Sequence, residues 1–206
     1  MSRSHVRCVG AFGRLLISVL ALLLSSSVAV AQRVPIDQAH STVAIKVYKS
    51  GLFSALAHDH TIQAPIVSGN IDTQAKYVEL SFNASEMKVL DPGTSDSERQ
   101  QIDATMKGPK VLDVAQFPAI AFSSSAVTTS ADHIQVTGTL KLHGVSRLLT
   151  VPVAWREGKY TSTVTLKQTD FGITPVKIAG GTVRVKDEIV IEFIIVPESP
   201  TTAPVH

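Results

Sequence analysis

Residues 134–155 read IQVTGTLKLHGVSRLLTVPVAW and give the clearest indication of the fold. Apolar side chains stand at alternating positions on both sides of His143-Gly144, namely Ile134, Val136, Leu140, Leu142, Leu149, Val151, Val153 and Trp155. Alternation with a period of two is typical of a strand with one buried face, and a polar residue followed by glycine is typical of a tight turn. The stretch therefore predicts two antiparallel strands joined at His143-Gly144.

The same alternation continues outward over most of the chain. It recurs in segments rich in Val, Ile, Thr and Phe, centred on Ile45, Leu80, Phe122, Val164 and Ile191. Such residues favour strands, and turn signals separate the segments. Seven or eight half-buried strands in one domain predict an all-β fold, an antiparallel barrel or sandwich.

One insertion is predicted to be helical. Ser95 stands three residues before Glu98, which is the spacing of a capping box, and the segment ends at Gly108-Pro109. Ile102 and Met106 are four residues apart and are expected to face the barrel together. The two ends of the mature chain, Arg33-Val34 and residues 198–206, are expected to be loose.

The first 31 residues have the pattern of a secretory signal peptide. Three arginines precede an apolar run at 15–24, and small residues follow up to Ala29-Val30-Ala31. The alternative is a retained membrane anchor, but the run is about half the length that a spanning helix requires. We predict cleavage after Ala31, a domain over 32–197 and a flexible tail over 198–206.

Removing the signal peptide changes the charge and the cysteine content of the chain. It removes three arginines and no acidic residue, so the formal net charge falls from +2 to −1. No basic block remains, and a nucleic-acid partner is not expected. The single cysteine, Cys8, lies within the signal, so the mature chain is expected to have neither disulfide nor thiol chemistry.

Four segments, in the same order along the chain, resemble the motifs of the YceI-like domain. Those motifs read D-x-x-H-S-x-V, F-P-x-I-x-F-x-S, V-x-G-x-L-x-L-H-G-V and D-F-G-I, and here they correspond to residues 37–43, 117–124, 136–145 and 170–173. The resemblance covers residues 35–196. Residues 48–62, which include His58-Asp59-His60, depart from the family's usual K-H-x-x-F-S-x-V-x-G-x-F segment.

This resemblance implies both a fold and a function. The fold is a lipocalin-like antiparallel β-barrel of about eight strands in the bacterial periplasm. The function is the binding of a long isoprenoid lipid, such as a quinone tail, in an elongated apolar cavity. No cofactor and no membrane span in the mature chain are expected.

An isoprenoid chain has no polar group along its length, so its binding would come from apolar burial. The side chains expected to line the cavity are Phe82, Phe122, Leu140, Leu142, Val153, Trp155, Phe171 and Phe193. The alternative is that these residues pack a closed core, since apolar strand residues are most often core. The protein would then be a ligand-free structural or stress-related barrel.

His58 and His60 suggest a second alternative, a metal site. Two positions apart on a strand, they would lie on one face, as in half of a zinc or copper site. His40 or His143 could supply a third ligand if the barrel brings one of them close. Without it, the pair is a polar cluster at the rim of the barrel.

Catalysis is not expected. The chain has no G-x-S-x-G, no H-E-x-x-H and no phosphate-binding loop motif. Its serines and threonines alternate along the strands as solvated positions do. No visible feature of the sequence decides between a monomer and a homodimer.

Overall fold

The structure is a computed structural model and describes residues 33–50, 59–130, 133–178 and 183–199. Within these ranges the chain forms one α-helix, α1 (Asp96–Lys107), and twelve strands. The strands are β1 (Arg33–Pro35), β2 (Thr42–Ser50), β3 (His60–Gln63), β4 (Ile66–Asp72), β5 (Tyr77–Asn83), β6 (Lys88–Val89), β7 (Ala119–Ser130), β8 (His133–Leu142), β9 (Val145–Arg156), β10 (Lys159–Lys167), β11 (Lys177–Ile178) and β12 (Val183–Ile195). The predicted signal peptide, His58 and residues 200–206 of the predicted tail lie outside the described residues.

The strands form one curled sheet in the order β1-β4-β5-β7-β8-β9-β10-β12-β2-β3-β6, with β11 paired to β12. Neighbouring strands are antiparallel, so the predicted all-β antiparallel architecture with one helix is confirmed. The predicted number of about eight strands is wrong. Eight of the described strands have seven or more residues, while β1, β3, β6 and β11 have two to four. Segments that short hold too few positions for a period of two to show.

The curl is a half-barrel, and residues at its edge strand β1 are bonded to the segment that follows β12. Ile36 forms an isolated bridge with Pro197, and its N–H donates to the carbonyl of Gly69 at 3.0 Å. The N–H of Glu198 donates to the carbonyl of Pro35 at 2.8 Å. The expectation of loose ends is therefore wrong for β1 and for the start of the predicted tail. Main-chain pairing of this kind requires no side-chain pattern, so the sequence did not show it.

The hairpin predicted at His143-Gly144 is confirmed. β8 and β9 pair over nine residues, from Ile134 opposite Val153 to Leu142 opposite Val145. His143 and Gly144 have φ angles of 51° and 74°, as a type I′ turn requires. A Cβ at Gly144 would lie 2.7 Å from the ring of Phe117, so this turn position has no room for a side chain.

The predicted helix and its capping box are also confirmed. The N–H of Glu98 donates to Ser95 Oγ at 3.3 Å, and the N–H of Ser95 donates to Glu98 Oε2 at 3.1 Å. Met106 is buried and Ile102 packs against the same core, so both face the sheet as expected. No helix among the described residues is long and apolar enough to cross a bilayer.

Gly138 permits the close approach of β7 to β8. A Cβ built there would lie 2.6 Å from both Phe122 Cζ and the backbone oxygen of Ser123. The oxygen cannot move without disturbing β7, so we expect Gly138→Ala to lower the free energy of unfolding by about 1–3 kcal/mol. Urea denaturation measures this change. An unaltered midpoint would contradict the close contact.

Candidate ligand-binding cavity

A cavity of about 820 Å³ lies within the curl of the sheet, and α1 forms part of its wall. The lining consists mainly of Val, Ile, Leu and Phe side chains that point inward from the strands, together with Ile102 and Met106 of α1. Its volume falls in the range of about 300–1,000 Å³ that is usual for small-molecule sites. The inner faces of the strands therefore do not fill the space that they enclose.

Six of the eight side chains predicted to line a cavity do so. They are Phe82, Phe122, Leu140, Leu142, Val153 and Phe193. They come from β5, β7, β8, β9 and β12, and each stands at an inward position of its strand. The alternation of apolar residues therefore identified the inner face correctly at these positions.

Trp155 does not line the cavity. It is the second-to-last residue of β9 and 48% exposed. Its ring packs against Tyr160, with the ring centroids 4.3 Å apart. Tyr160 does line the cavity, and burial raises the pKa of its phenol. Trp155 is two residues beyond the inward-facing Val153, so alternation would place it on the inner face. At this position, however, β9 has already reached the rim of the half-barrel.

Phe171 does not line the cavity either. It ends the 3₁₀ helix Gln168–Phe171, is only 1% exposed, and packs within the hydrophobic core. His143 Nδ1 lies 3.1 Å from its carbonyl oxygen, which ties this turn to the β8–β9 hairpin. Phe171 does not face the cavity because the chain leaves the strand geometry after Lys167.

Asp187 holds the same 3₁₀ turn from β12. Its carboxylate accepts hydrogen bonds from Thr169 Oγ1 at 2.7 Å and from the Thr169 N–H at 2.9 Å. The side-chain bond from Thr169 is the largest reason why the pKa of Asp187 lies below the ordinary aspartate value. The pairing is thus present at neutral pH, and its contribution to stability is lost as the pH falls through that lowered pKa.

Replacing Thr169 with valine removes the hydroxyl donor and keeps the backbone donor. We expect the pKa of Asp187 in Thr169→Val to move up, toward the ordinary value, as measured by NMR titration of the carboxyl carbon. Asp37 is the internal control, since its lowered pKa comes first from the side chain of His40. A titration of Asp187 identical to that of the unaltered protein would contradict the proposed cause.

Other residues that line the cavity were not predicted from the sequence, although the strands that carry them were. They include the aliphatic residues Ile62, Leu80, Val164, Ile189 and Ile191. Their alternation with polar neighbours was visible, as in Ile189, Ile191 and Phe193 of β12.

Polar side chains lie at both ends of the cavity. Near the β4–β5 turn the lining includes Thr73, Lys76 and Tyr77, and at the opposite end, beside α1, it includes Tyr48 and Gln101. The middle of the cavity is apolar. A molecule with a long apolar body and a polar group at an end matches this distribution.

His60 lines the cavity and is paired with a buried carboxylate. Its Nδ1 lies 2.6 Å from Asp91 Oδ2, while Asp91 Oδ1 accepts from the N–H of Thr61 at 2.7 Å. Asp91 is only 4% exposed. Because one ring nitrogen of His60 is engaged with Asp91, the Nε2 atom is the one left for another partner.

The other histidines considered as ligands stand apart from His60. His40 Nδ1 lies 2.7 Å from Asp37 Oδ2, and His143 contacts the carbonyl of Phe171. Within the described part of the chain, no group of three His, Cys, Asp or Glu side chains could hold a metal ion. The third ligand expected from His40 or His143 is therefore not brought to His60. A pairing of His60 with His58 stays a prediction.

Comparison with known proteins identifies the family. The model of the YceI-like domain matches residues 35–196. An alignment of length 116, which covers 51% of this chain, is 32% identical to a UPF0312 protein of Pseudomonas savastanoi pv. phaseolicola and covers 59% of that protein. The sequence is 24% identical to Protein YceI of Salmonella arizonae over an alignment of the same length, covering 61% of that protein. The chain thus matches about three fifths of the length of these relatives.

The fold is also found among solved structures. The crystal structure of Burkholderia cenocepacia BcnA superposes with a TM-score of 0.55, at 19% sequence identity, covering 78% of this chain and 98% of that one. At this level of identity the likeness shows a shared fold.

Proposed function

The chain belongs to the YceI-like domain family, and on this basis we propose that it holds a long apolar lipid of the polyisoprenoid or quinone type in its cavity, in the periplasm. The cavity of about 820 Å³ and its apolar wall carry the proposal. A filled core, as in a purely structural barrel, would leave no such space. Each Å² of apolar ligand surface removed from water would contribute about 25 cal/mol to binding.

The arrangement of polar groups supports a ligand of this shape. An isoprenoid chain presents only apolar surface to the middle of the cavity, where Phe122, Leu140 and Ile191 lie. A hydroxyl, carbonyl or phosphate at its end would remain near polar side chains at an end of the cavity, such as Tyr48 or Tyr77. Unpaired polar groups would then not be buried against the apolar wall.

Native mass spectrometry of the mature protein, taken gently from its own periplasm, tests this function. Any adduct is extracted into organic solvent and identified. We expect a polyisoprenoid or prenylated quinone in a ratio of one per chain. A protein of bare mass that also fails to take up a geranylgeranyl probe would overturn the proposal. Elemental analysis of the same sample tests the metal alternative that involves His58 and His60.

A further inference from the structure

β9 and β10 are joined for only a short part of their length. They pair over three residues next to their turn, from Arg156 opposite Lys159 to Ala154 opposite Thr161. By contrast, β9 pairs with β8 over nine residues and β10 pairs with β12 over eight. The two strands therefore separate beyond Ala154, although the sheet continues on either side of them.

Pro152 gives a physical reason for this separation. Ser162 Oγ of β10 donates to the carbonyl of Pro152, so that carbonyl points toward β10. In a strand, the nitrogen and the carbonyl of one residue point to the same side. Proline has no N–H to donate. At the next position where β9 would exchange hydrogen bonds with β10, opposite Thr163, the donor is missing and a serine side chain takes the acceptor.

A cleft of about 430 Å³ lies where the strands separate. Charged side chains of both signs stand at its rim, Arg147 and Lys167 against Asp170 and Glu188. Its inner wall contains Leu149 of β9 and Leu166 of β10. The same two side chains line the main cavity.

Leu149 and Leu166 therefore lie between an outer cleft and the inner cavity. If the register of the three paired residues continued, Leu149 would stand directly opposite Leu166. No strand pairing among the described residues holds β9 and β10 together at this level. Side-chain rotation at two leucines requires far less reorganisation than opening a hydrogen-bonded ladder.

We propose that the cleft between β9 and β10 is a lateral entrance, through which the apolar chain of the ligand enters and leaves the cavity past Leu149 and Leu166. This inference rests on the proposed function. Passage through the side lets a long chain slide in along its length beside apolar side chains, and Leu148, 69% exposed on the same strand, extends the apolar surface outward.

Pro152→Thr tests the entrance, since it restores the missing N–H without altering the cavity wall. Exchange of a dansyl-labelled geranylgeranyl probe is followed by stopped-flow, with energy transfer from Trp155, the single tryptophan of the chain. We expect association and dissociation to slow together, by about tenfold or more, because backbone hydrogen bonds must now break at each passage. The dissociation constant is expected to stay unchanged, since only the barrier is raised. Pro65→Thr is the matched control, because Pro65 lies outside β9 and β10.

Amide hydrogen exchange of Thr163 and Thr165 shows whether Pro152→Thr extends the hydrogen-bonded pairing of β9 with β10. If it does not, a second variant tests the entrance. Leu149→Cys with Leu166→Cys can be compared oxidised and reduced, and the mature chain has no other cysteine. A disulfide there is expected to slow exchange, and reduction is expected to restore it. If the probe still exchanges at the original rate when β9 and β10 are held together, the entrance is overturned while the proposed function stays intact. A protein that binds no probe would fail the function itself, and the entrance with it.

Discussion

Leu140→Lys is expected to weaken binding of a geranylgeranyl probe by about 100-fold or more, which corresponds to about 2.7 kcal/mol. Leu140 lies in the apolar wall of the cavity, opposite Phe122 of β7. An ammonium group in that wall stays hydrated only while the cavity holds water. A bound isoprenoid chain would strip that water and leave the charge unpaired, which costs several kcal/mol.

Thr139→Lys is the matched control for this experiment. Thr139 is the preceding residue of β8 and is exposed on the outer face of the sheet. The same charge at that position is expected to leave probe binding unchanged. Both variants are compared by fluorescence titration, after circular dichroism has shown that each is folded. Equal binding by Leu140→Lys and the unaltered protein would place the ligand outside this cavity.

Phe171→Ala is expected to lower the free energy of unfolding by about 3–5 kcal/mol. Phe171 is almost fully buried and packs in the hydrophobic core, so truncating its ring leaves a void that its neighbours cannot fill completely. The described residues contain no cysteine, so packing rather than disulfides must stabilise this part of the chain. Urea denaturation with two-state analysis measures the change.

Trp155→Ala is the matched control, because it removes a larger aromatic ring from an exposed site. Trp155 is 48% exposed and contacts chiefly Tyr160 at the rim. We expect a loss of about 1 kcal/mol or less. A loss at Trp155 as large as that at Phe171 would contradict the placement of these two residues.

Local patterns in the sequence predicted much of the architecture. Alternation along β8, β9 and β12 depends only on the two-residue repeat of a strand, so it identified antiparallel strands and their inner faces. The turn at His143-Gly144 and the cap formed by Ser95 and Glu98 depend on a few neighbouring residues. The four YceI-like segments are also local patterns, and they predicted the family.

The position of each aromatic residue relative to the cavity could not be predicted in this way. Phe122 and Phe171 are the same residue type in apolar surroundings, yet one faces the cavity and the other packs in the core. The difference arises because the chain turns into a 3₁₀ helix after β10. The pairing of His60 with Asp91 likewise joins residues 31 positions apart, a separation over which no local pattern extends.

From the amino-acid sequence one can read the alternation of apolar and polar residues that forms antiparallel strands, and the YceI-like motifs. That the inner faces enclose a cavity depends on the tertiary structure, because an empty volume remains only where the curved sheet encloses more space than its inward side chains fill. The separation of β9 from β10 at Pro152 likewise depends on the tertiary structure. A missing N–H separates two strands only if it faces the neighbouring strand, and that direction depends on the register of the sheet.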